Sequence, residues 1–376
     1  MIDVIEVRRP GDKAGKAFIN FPHQLYAGSS CWVPPFKRGM RKIITRRHPF
    51  FDHSEGGFFT AFDGRKAAGR IAVFENELYN EKHNTRAANF YFFDCVENSL
   101  VAGALFGTIE KWAKDRGLSQ VIGPMFSAAS GGNGVLVEGF EHRAAMTMAG
   151  YNHPYYGGLI DGLGYTKRRD YLSAEIDADT FSMPEKISRI AEISLKRGHF
   201  EVLKFSSKRE LAKLSHTIGE IHNKTLGRFN ETHNLTPPEI EVLRKDLLSV
   251  ADPALIKILA YDGKIAGFLL GFHDLSAALQ RGGGRITPAG IIRLLKSSKQ
   301  SKEVIINGIG ILPEYQRLGG NALLYKELER TVKENVQDAG HCDLVQIAET
   351  TWLMMKDLEN LGARIYKRHR LYEKEL

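Results

Sequence analysis

The chain contains two similar hairpin segments far apart in sequence, and this repetition constrains its fold more than any other feature. Ala61–Phe74 and Ala260–Phe272 both show an apolar run, an Asp-Gly turn and a second apolar run. Such a turn needs residues that accept positive φ, so Asp-Gly between apolar runs predicts a β-hairpin. The spacing is 260 − 61 = 199 before the turn and 267 − 69 = 198 after it. Two unrelated hairpins are the alternative to two copies of one fold.

The similarity continues after each hairpin. Phe90–Phe93 reads as a strand and is followed by a helix from Ala104, whose counterpart begins at Ala322; the spacing grows to 322 − 104 = 218 because the second copy carries an insertion. The length of 376 residues also exceeds the roughly 100–200 typical of one domain. We therefore predict two domains, residues 1–178 and 179–376.

The second copy contains a strand, a glycine-containing turn and a helix in close succession. Val304–Leu312 is largely apolar and predicts a strand, which Pro313 ends because proline lacks an N–H for the sheet. Gly319 and Gly320 follow, and Ala322–Glu334 is rich in good helix formers. Free N–H groups at the start of such a helix can bind a phosphate group. The alternative is an ordinary loop between a strand and a helix.

The segment Leu312–Leu324 resembles the signature of the GNAT superfamily of acyl-CoA N-acyltransferases, in which loop amides hold the pyrophosphate of acyl-coenzyme A. Gln316 and Gly319 match the motif, whereas Asn321 stands where the family has Gly or Ala. The resemblance implies an α/β (α+β) protein with two tandem GNAT-like domains, each a mixed, mostly antiparallel sheet flanked by helices. It implies acetyl-CoA or a longer acyl-CoA as co-substrate and the following cofactor-binding residues: Ile311, Leu312, Gln316, Arg317, Leu318, Gly319, Gly320, Asn321 and Ala322.

Two later segments extend the resemblance. Met355–Ala363 resembles the next helix of the family, with Leu358 in the place of a tyrosine often used there as a general acid. Gly362–Lys374 and the two-copy layout are similar to bacterial tandem proteins of this fold, some linked to long-chain acyl transfer in ceramide-type lipid synthesis. This resemblance implies a small-molecule or lipid amine as acceptor.

The first copy lacks the phosphate loop. Its corresponding segment, Asp94–Gly103, has one glycine and two acids, which repel a pyrophosphate. We therefore expect a structural or acceptor-binding first domain and an acyl-CoA-binding second domain. Tyr155 and Tyr156 follow the glycine-containing loop Gly123–Gly134 and are predicted to line an acceptor pocket. A surface loop with ordinary interface tyrosines is the alternative.

Amine acylation needs a base for the amine proton and a proton source for the leaving thiolate. Glu349, at the end of the strand Leu344–Ala348, is one candidate base, and His233 is another. Tyr366 is a candidate acid in place of the missing tyrosine. Asn223 and Asn230 lie in the region that covers the acceptor in folds of this kind, and we predict that they bind substrate.

No HExxH or comparable spacing is present, and no metal is expected. A non-catalytic acyl-CoA-binding or regulatory protein is the alternative to an N-acyltransferase.

The insertion in the second copy, Asp274–Lys302, contains a predicted helix with Thr287 as cap and Pro288 at its first position. The helix combines an apolar patch with basic residues. Covering an acyl chain, touching a membrane surface and packing on the sheet are the three readings that this pattern leaves open.

The net charge is +8, and basic clusters lie at Lys37–Arg47 and Lys367–Arg370. Four explanations fit these basic clusters: a solvated surface, or binding of anionic lipid, of a phosphate-bearing cofactor or of nucleic acid. We expect no nucleic acid, because no nucleic-acid-binding motif is present. Three widely spaced cysteines, no apparent secretory signal and no long apolar run predict a cytoplasmic protein. The oligomeric state is left open by the sequence.

Overall fold

The computed structural model describes residues 1–126, 132–226, 232–336 and 338–376. They divide into two compact units. The first comprises Met1–Leu172, Ser276–Leu294 and Lys367–Leu376, and the second comprises Ser173–Leu275 and Leu295–Tyr366. The first unit thus includes two segments that the predicted division at residue 178 assigned to the second domain.

The first unit is built on a sheet whose strand order is β1-β2-β3-β4-β5-β13, with β6 also paired to β13. Neighbouring strands are antiparallel except for β4 and β5, which are parallel. Its elements are β1 (Ile2–Glu6), α1 (Lys13–Leu25), α2 (Lys37–Ile44), β2 (Ser54–Asp63), β3 (Lys66–Asn76), α3 (Glu77–His83), β4 (Ala87–Cys95), α4 (Ser99–Lys114), β5 (Gln120–Gly123), β6 (Val135–Glu138), α5 (Tyr155–Asp161) and α9 (Ser276–Gly282). Three further elements, β7 (Thr166–Asp177), α10 (Pro288–Gln300) and β13 (Arg364–Glu375), each contain a boundary between the units.

The second unit repeats this plan, with the strand order β8-β9-β10-β11-β12. Again the pairs are antiparallel except the last, β11 with β12, which is parallel. Its elements are α6 (Glu185–Lys196), β8 (Phe200–Leu203), α7 (Lys208–Thr225), α8 (Pro237–Val250), β9 (Ile256–Tyr261), β10 (Lys264–His273), β11 (Val304–Ile311), α11 (Gly320–Asn335), β12 (His341–Ala348) and α12 (Trp352–Leu361).

The two units share irregularities as well as strand order. In both, the second hairpin strand shifts register at a glycine, Gly69 or Gly267, and 267 − 69 = 198. In both, the next strand has a bulge containing a residue with positive φ, Phe92 (φ 54°) or Gly308 (φ 118°), and 308 − 92 = 216. Because bulges are specific features of a strand pair, this agreement confirms the predicted duplication.

Each unit has its own apolar core. In the first unit, α4 and α5 cover one face of the sheet and α1 and α2 cover the other. In the second unit, residues of α6, α11 and α12 pack on the sheet, including the fully buried Leu324 and the nearly buried Leu358. The position where the GNAT family often has a tyrosine is therefore part of the core.

The local predictions around the second copy are confirmed within a few residues. The predicted strand Val304–Leu312 is β11, the predicted helix Ala322–Glu334 is α11, and Leu344–Ala348 lies in β12. Thr287 caps α10 as predicted, accepting a hydrogen bond from the Gly290 N–H at 3.0 Å. Within the described ranges, we find no helix with the length and apolar character needed to cross a bilayer.

Candidate functional site

The loop between β11 and α11 is closed by its own motif residue. A 3-10 turn, Pro313–Tyr315, follows the strand, and Gly319 is the N-cap of α11. The side-chain Nε2 of Gln316 donates a hydrogen bond to the carbonyl of Ile311 at 2.9 Å. Gln316 therefore ties the loop to the end of β11.

The second half of the loop has a backbone that most residues disfavour. Arg317 has φ 62° and Gly319 has φ 91°. A Cβ atom on Gly319 would lie 2.0 Å from Oγ of Ser194, on α6. Ser194 Oγ donates to the carbonyl of Leu318 at 2.9 Å. Two features thus favour glycine at residue 319: its positive φ and the close approach of α6.

The start of α11 presents donors without helical acceptors. The N–H groups of Gly320, Asn321 and Ala322 occupy the first three positions, where no carbonyl of the same helix is available. The N-cap supplies no side-chain hydrogen bond. Arg317 is exposed beside them and forms no ion pair with any described residue. Donors, helix dipole and guanidinium together favour a bound anion, so this loop fits a pyrophosphate.

The side chain of Asn321 is turned away from the loop and toward α12. Its Nδ2 donates to Oδ2 of Asp357 at 3.0 Å, and the Tyr325 hydroxyl donates to the same oxygen at 2.8 Å. Burial and the Asp357 carboxylate raise the pKa of Tyr325, so its hydroxyl stays protonated. Asn321 therefore fixes one helix to the next, and its amide does not fill the space over the loop.

Strands β11 and β12 separate as they approach this loop. They pair in parallel only over three residues, from Val304–Cys342 to Ile306–Leu344. Both strands continue beyond that pairing, β11 to Ile311 and β12 to Ala348. The bulge at Gly308 lies where pairing stops. The separated strand ends leave backbone groups that can reach a ligand extending from the loop.

Glu349 lies directly after β12, at the same end of the strands as the loop. It is half-buried, and Thr351, the N-cap of α12, follows two residues later. The structure therefore places Glu349 at the loop end of β12, and its role as the base stays a prediction.

His233 lies elsewhere, in a buried hydrogen-bonded pair with Glu239. Its Nε2 is 3.0 Å from Oε2 of Glu239, and both side chains are almost fully buried. The same carboxylate oxygen accepts the N–H of Thr236 at 2.8 Å and thereby caps α8. Burial alone would raise the pKa of Glu239, but the hydrogen bonds from His233 and Thr236 lower it to about 2. This geometry favours a structural role for His233.

Tyr366 is hydrogen-bonded to Asp343 on β12. Burial, the Asp343 charge and this hydrogen bond all raise the pKa of the Tyr366 hydroxyl. A raised pKa opposes proton donation to a thiolate, so the contact favours a structural role here too.

Asn223 connects α7 to the segment before α8. Its amide donates to the carbonyl of Leu235 and accepts the N–H of Leu235, both at 2.9 Å. Both ends of the amide are used internally. Asn230, the other predicted acceptor ligand, lies outside the described residues.

Tyr155 and Tyr156 belong to the first unit and bind its own backbone and side chains. The Tyr155 hydroxyl donates to the carbonyl of Cys95 at 2.8 Å, and the Tyr156 hydroxyl accepts the N–H of Cys95 at 3.0 Å. The Tyr26 hydroxyl donates to Oδ1 of Asp94 at 2.9 Å, and its oxygen lies 2.8 Å from the Tyr156 hydroxyl oxygen. These tyrosines stabilise the end of β4, and their hydroxyls are already used.

Two residues that support the site had no signal in the sequence. Ser194 supports the Leu318 carbonyl from α6, a helix that precedes the strands of the second copy. Asp357, on α12, accepts hydrogen bonds from Asn321 and Tyr325, both on α11. Ser194 belongs to no motif, and the resemblance of Met355–Ala363 gives Asp357 no role, because each residue acts through contacts made only when distant segments fold together.

We compared the chain with proteins of known name and structure. It is 26% identical over 370 residues to "Protein YghO" of Escherichia coli, covering 96% of this chain and 93% of that protein. It is 26% identical over 384 residues to "Bacterial ceramide synthase" of Caulobacter vibrioides, covering 100% and 98% of the two chains. No family model matches the chain.

A solved structure aligns with this chain along its whole length. The "Tandem GNAT protein from the clavulanic acid biosynthesis pathway" aligns with a TM-score of 0.56 and 10% identity, covering 100% of this chain and 98% of that one. At this identity the likeness concerns the fold. Together with the repeated strand order and bulges, it establishes that the chain has a tandem GNAT fold.

Proposed function

We propose that the protein is an acyl-CoA-dependent N-acyltransferase whose second unit binds the acyl-CoA. The observation that carries this proposal is the loop from Gln316 to Ala322, which combines unpaired helix N–H groups, an exposed guanidinium and a glycine that α6 does not allow to be replaced. The tandem GNAT fold and the name of the Caulobacter relative support acyl transfer.

In the proposed reaction, the N–H groups of Gly320–Ala322 and the Arg317 guanidinium hold the pyrophosphate. A free backbone N–H at the separated strand ends donates to the thioester carbonyl and stabilises the developing oxyanion. The amine nitrogen attacks the carbonyl carbon, a C–N bond forms and the C–S bond breaks. Glu349 takes the proton of the attacking amine, and the leaving thiolate takes a proton from water.

The acceptor in this proposal is a long-chain amine. A ceramide is the amide of a fatty acid with a long-chain amino alcohol, so a ceramide synthase acylates such an amine. The relative that bears this name aligns over the full length of the present chain. We extend that substrate class to this protein as part of the proposal.

A second candidate function is acyl-CoA binding without catalysis. It is favoured by Leu358, which is buried in the core at a position where the family often has a catalytic tyrosine. It is also favoured by the contacts of the two other candidates, because His233 is bonded to Glu239 and Tyr366 is bonded to Asp343. Both functions use the β11–α11 loop to bind acyl-CoA, and only the first transfers the acyl group to an amine.

Thiol release from palmitoyl-CoA separates them. With a long-chain amino alcohol as acceptor, wild-type protein should release coenzyme A in proportion to the amide formed. Glu349→Gln should lower kcat by roughly 100-fold or more, as loss of a general base does, with acyl-CoA affinity unchanged. Glu314→Gln, an exposed carboxylate on the loop side of β11, is the control. Tight acyl-CoA binding without turnover on any amine would favour the non-catalytic function.

A further inference from the structure

The segment Ser276–Leu294 is an insertion in the second copy, yet it folds onto the first unit. Gln280, on α9, donates from Nε2 to the carbonyls of Ser30 and Trp32 at 2.7 and 2.9 Å. The Lys37 N–H donates to the carbonyl of Gly284 at 3.0 Å. Two hydrogen bonds from the Gln280 side chain and one backbone hydrogen bond at Gly284 thus fix α9 and the turn 282–284 against the connection between α1 and α2.

This contact borders a cavity of about 430 Å³ within the first unit that is open to solvent. Aromatic rings form part of its wall: Tyr26 and Trp32 are stacked with centroids 5.1 Å apart, and His23 meets Trp32 edge-on at 5.2 Å. Lys37, Arg281 and Arg285 also line the cavity, and no acidic residue does.

The cations of this cavity are available for a ligand. Within the described residues, neither Arg281 nor Arg285 forms a side-chain ion pair. The Lys37 Nζ is held by Asn20 Oδ1 at 2.6 Å, and burial together with Arg285 and Arg41 lowers the pKa of Lys37. Three positive groups facing one cavity repel each other, and an anion between them removes that repulsion.

The helix that follows the turn exposes apolar side chains. Ile286 is 51% exposed, and on α10 Ile291 is 48% and Ile292 is 67% exposed. Arg293 is exposed beside them, and its Nη1 lies 3.5 Å from the Arg281 carbonyl oxygen, at the cavity. Of the three readings left open for this helix, packing on the sheet does not account for these residues, because their apolar surface faces solvent.

We infer that the turn and the start of α10 form a docking surface for an anionic phospholipid bilayer. The isoleucines enter the boundary between headgroups and acyl chains, and the cavity lined by Lys37, Arg281 and Arg285 takes a lipid phosphate. The positive cavity and the exposed isoleucines together favour a bilayer as the partner. Nucleic acid has phosphates for the cavity but no apolar phase for the isoleucines, whereas an anionic bilayer provides phosphates and an apolar phase. The residues of this surface belong to the first unit, whereas the loop of the proposed acyl-CoA site belongs to the second.

Vesicle flotation with the full chain tests the inference. Wild-type protein should bind vesicles of phosphatidylglycerol and phosphatidylcholine, and should bind phosphatidylcholine alone far less. Raised salt should weaken the binding, because it screens the surface charges. Absence of binding to the anionic vesicles would overturn the inference.

Surface variants identify the residues. Arg281→Glu and Arg285→Glu should each weaken vesicle binding by about fivefold or more, from the usual effect of one surface charge. Ile292→Ser should weaken it by roughly tenfold, because a buried aliphatic side chain is lost. The matched controls are Arg65→Glu, in the exposed turn after β2, and Leu100→Ser, which is 73% exposed on α4. Equal loss in variants and controls would contradict the inference.

Two competitors distinguish the sources of phosphate. Glycerol 3-phosphate should displace the protein from vesicles only weakly, because it offers no apolar phase to the isoleucines. If it binds as tightly as the vesicles do, the cavity takes a soluble phosphate ester and the membrane assignment is wrong. Preferential binding to duplex DNA over anionic vesicles would likewise overturn it.

Discussion

At the scale of single residues, side chains that the sequence predicts to be catalytic or substrate-binding are used to hold the structure. The predicted catalytic residues His233 and Tyr366 each hydrogen-bond to a carboxylate, and Tyr156, predicted to line the acceptor pocket, accepts a backbone N–H. At the candidate site, Arg317 is exposed and Glu349 is half-buried. Backbone groups therefore carry more of the proposed binding than side chains do.

Asn321 tests whether the departure from the family motif weakens the cofactor site. Because its amide is bonded to Asp357, we expect Asn321→Ala to leave the dissociation constant of acyl-CoA within about twofold. The lost hydrogen bond to a carboxylate should lower the free energy of unfolding by roughly 1–3 kcal/mol. Calorimetric titration and urea unfolding measure the two effects. Markedly tighter binding by the variant would mean that the Asn321 side chain does obstruct the phosphate.

Arg70 tests the buried charge pair of the first unit. Its guanidinium contacts Asp94 at 2.7 Å and donates to the Phe18 carbonyl at 2.9 Å. Arg70→Met leaves a buried carboxylate without its cation and should lower the free energy of unfolding by about 3–5 kcal/mol.

The control for Arg70 is Lys111→Met, which removes the exposed pair with Asp115. We expect that change to cost under about 1 kcal/mol. Urea unfolding of both variants gives the comparison, and similar small losses would show that the Arg70 pair adds little to stability.

At the scale of elements, α8 illustrates how a capping contact links helix stability to pH. The ordinary pKa of a glutamate, 4.5, is lowered to about 2 at Glu239. A carboxylate with a lowered folded-state pKa stabilises the folded state above its unfolded pKa and loses that contribution as pH falls toward the folded value.

We therefore expect the free energy of unfolding to fall by about 1–3 kcal/mol between pH 4.5 and pH 2 because of Glu239. Glu239→Gln should be less stable at neutral pH and should lose this part of the slope. Urea unfolding across that pH range measures both proteins. Parallel slopes would contradict the assignment of the pH dependence to the α8 cap.

Local chemistry explains which elements could be predicted. The hairpins follow from Asp-Gly turns between apolar runs, and β11 with α11 follows from an apolar strand, Pro313 and good helix formers. The docking of Ser276–Leu294 on the first unit could not be predicted, because it depends on contacts between residues more than 200 apart, such as Gln280 with Ser30. The support of Leu318 by Ser194 has the same origin. Contacts of this kind leave no periodic pattern in either segment.

At the scale of the whole molecule, the first unit depends on the far end of the chain. Strand β13 pairs with β5 from Tyr372–Gly123 to Glu375–Gln120, and it also pairs with β6. Lys367, His369, Leu371 and Tyr372 are almost completely buried. Without residues 367–376, β5 loses a neighbour and the apolar core is exposed.

A fragment of residues 1–178 should accordingly lack a cooperative unfolding transition in urea. The full chain should show one for its first unit, monitored by exchange of the amide hydrogens of β5. Removing residues 367–376 from the full chain should abolish the protection of β5. A fragment 1–178 that unfolds cooperatively with protected β5 amides would contradict this dependence.

The central claim is that the β11–α11 loop binds acyl-CoA, and calorimetric titration with acetyl-, octanoyl- and palmitoyl-CoA tests it most directly. Wild type should bind at least one of them, and Gly319→Ala should bind at least about tenfold more weakly, equivalent to roughly 1.4 kcal/mol. Gly263→Ala, which introduces a side chain at φ 77° with no atom within 4 Å of its Cβ, should bind like wild type. No binding by wild type, or equal affinity of the Gly319 variant, would contradict the account.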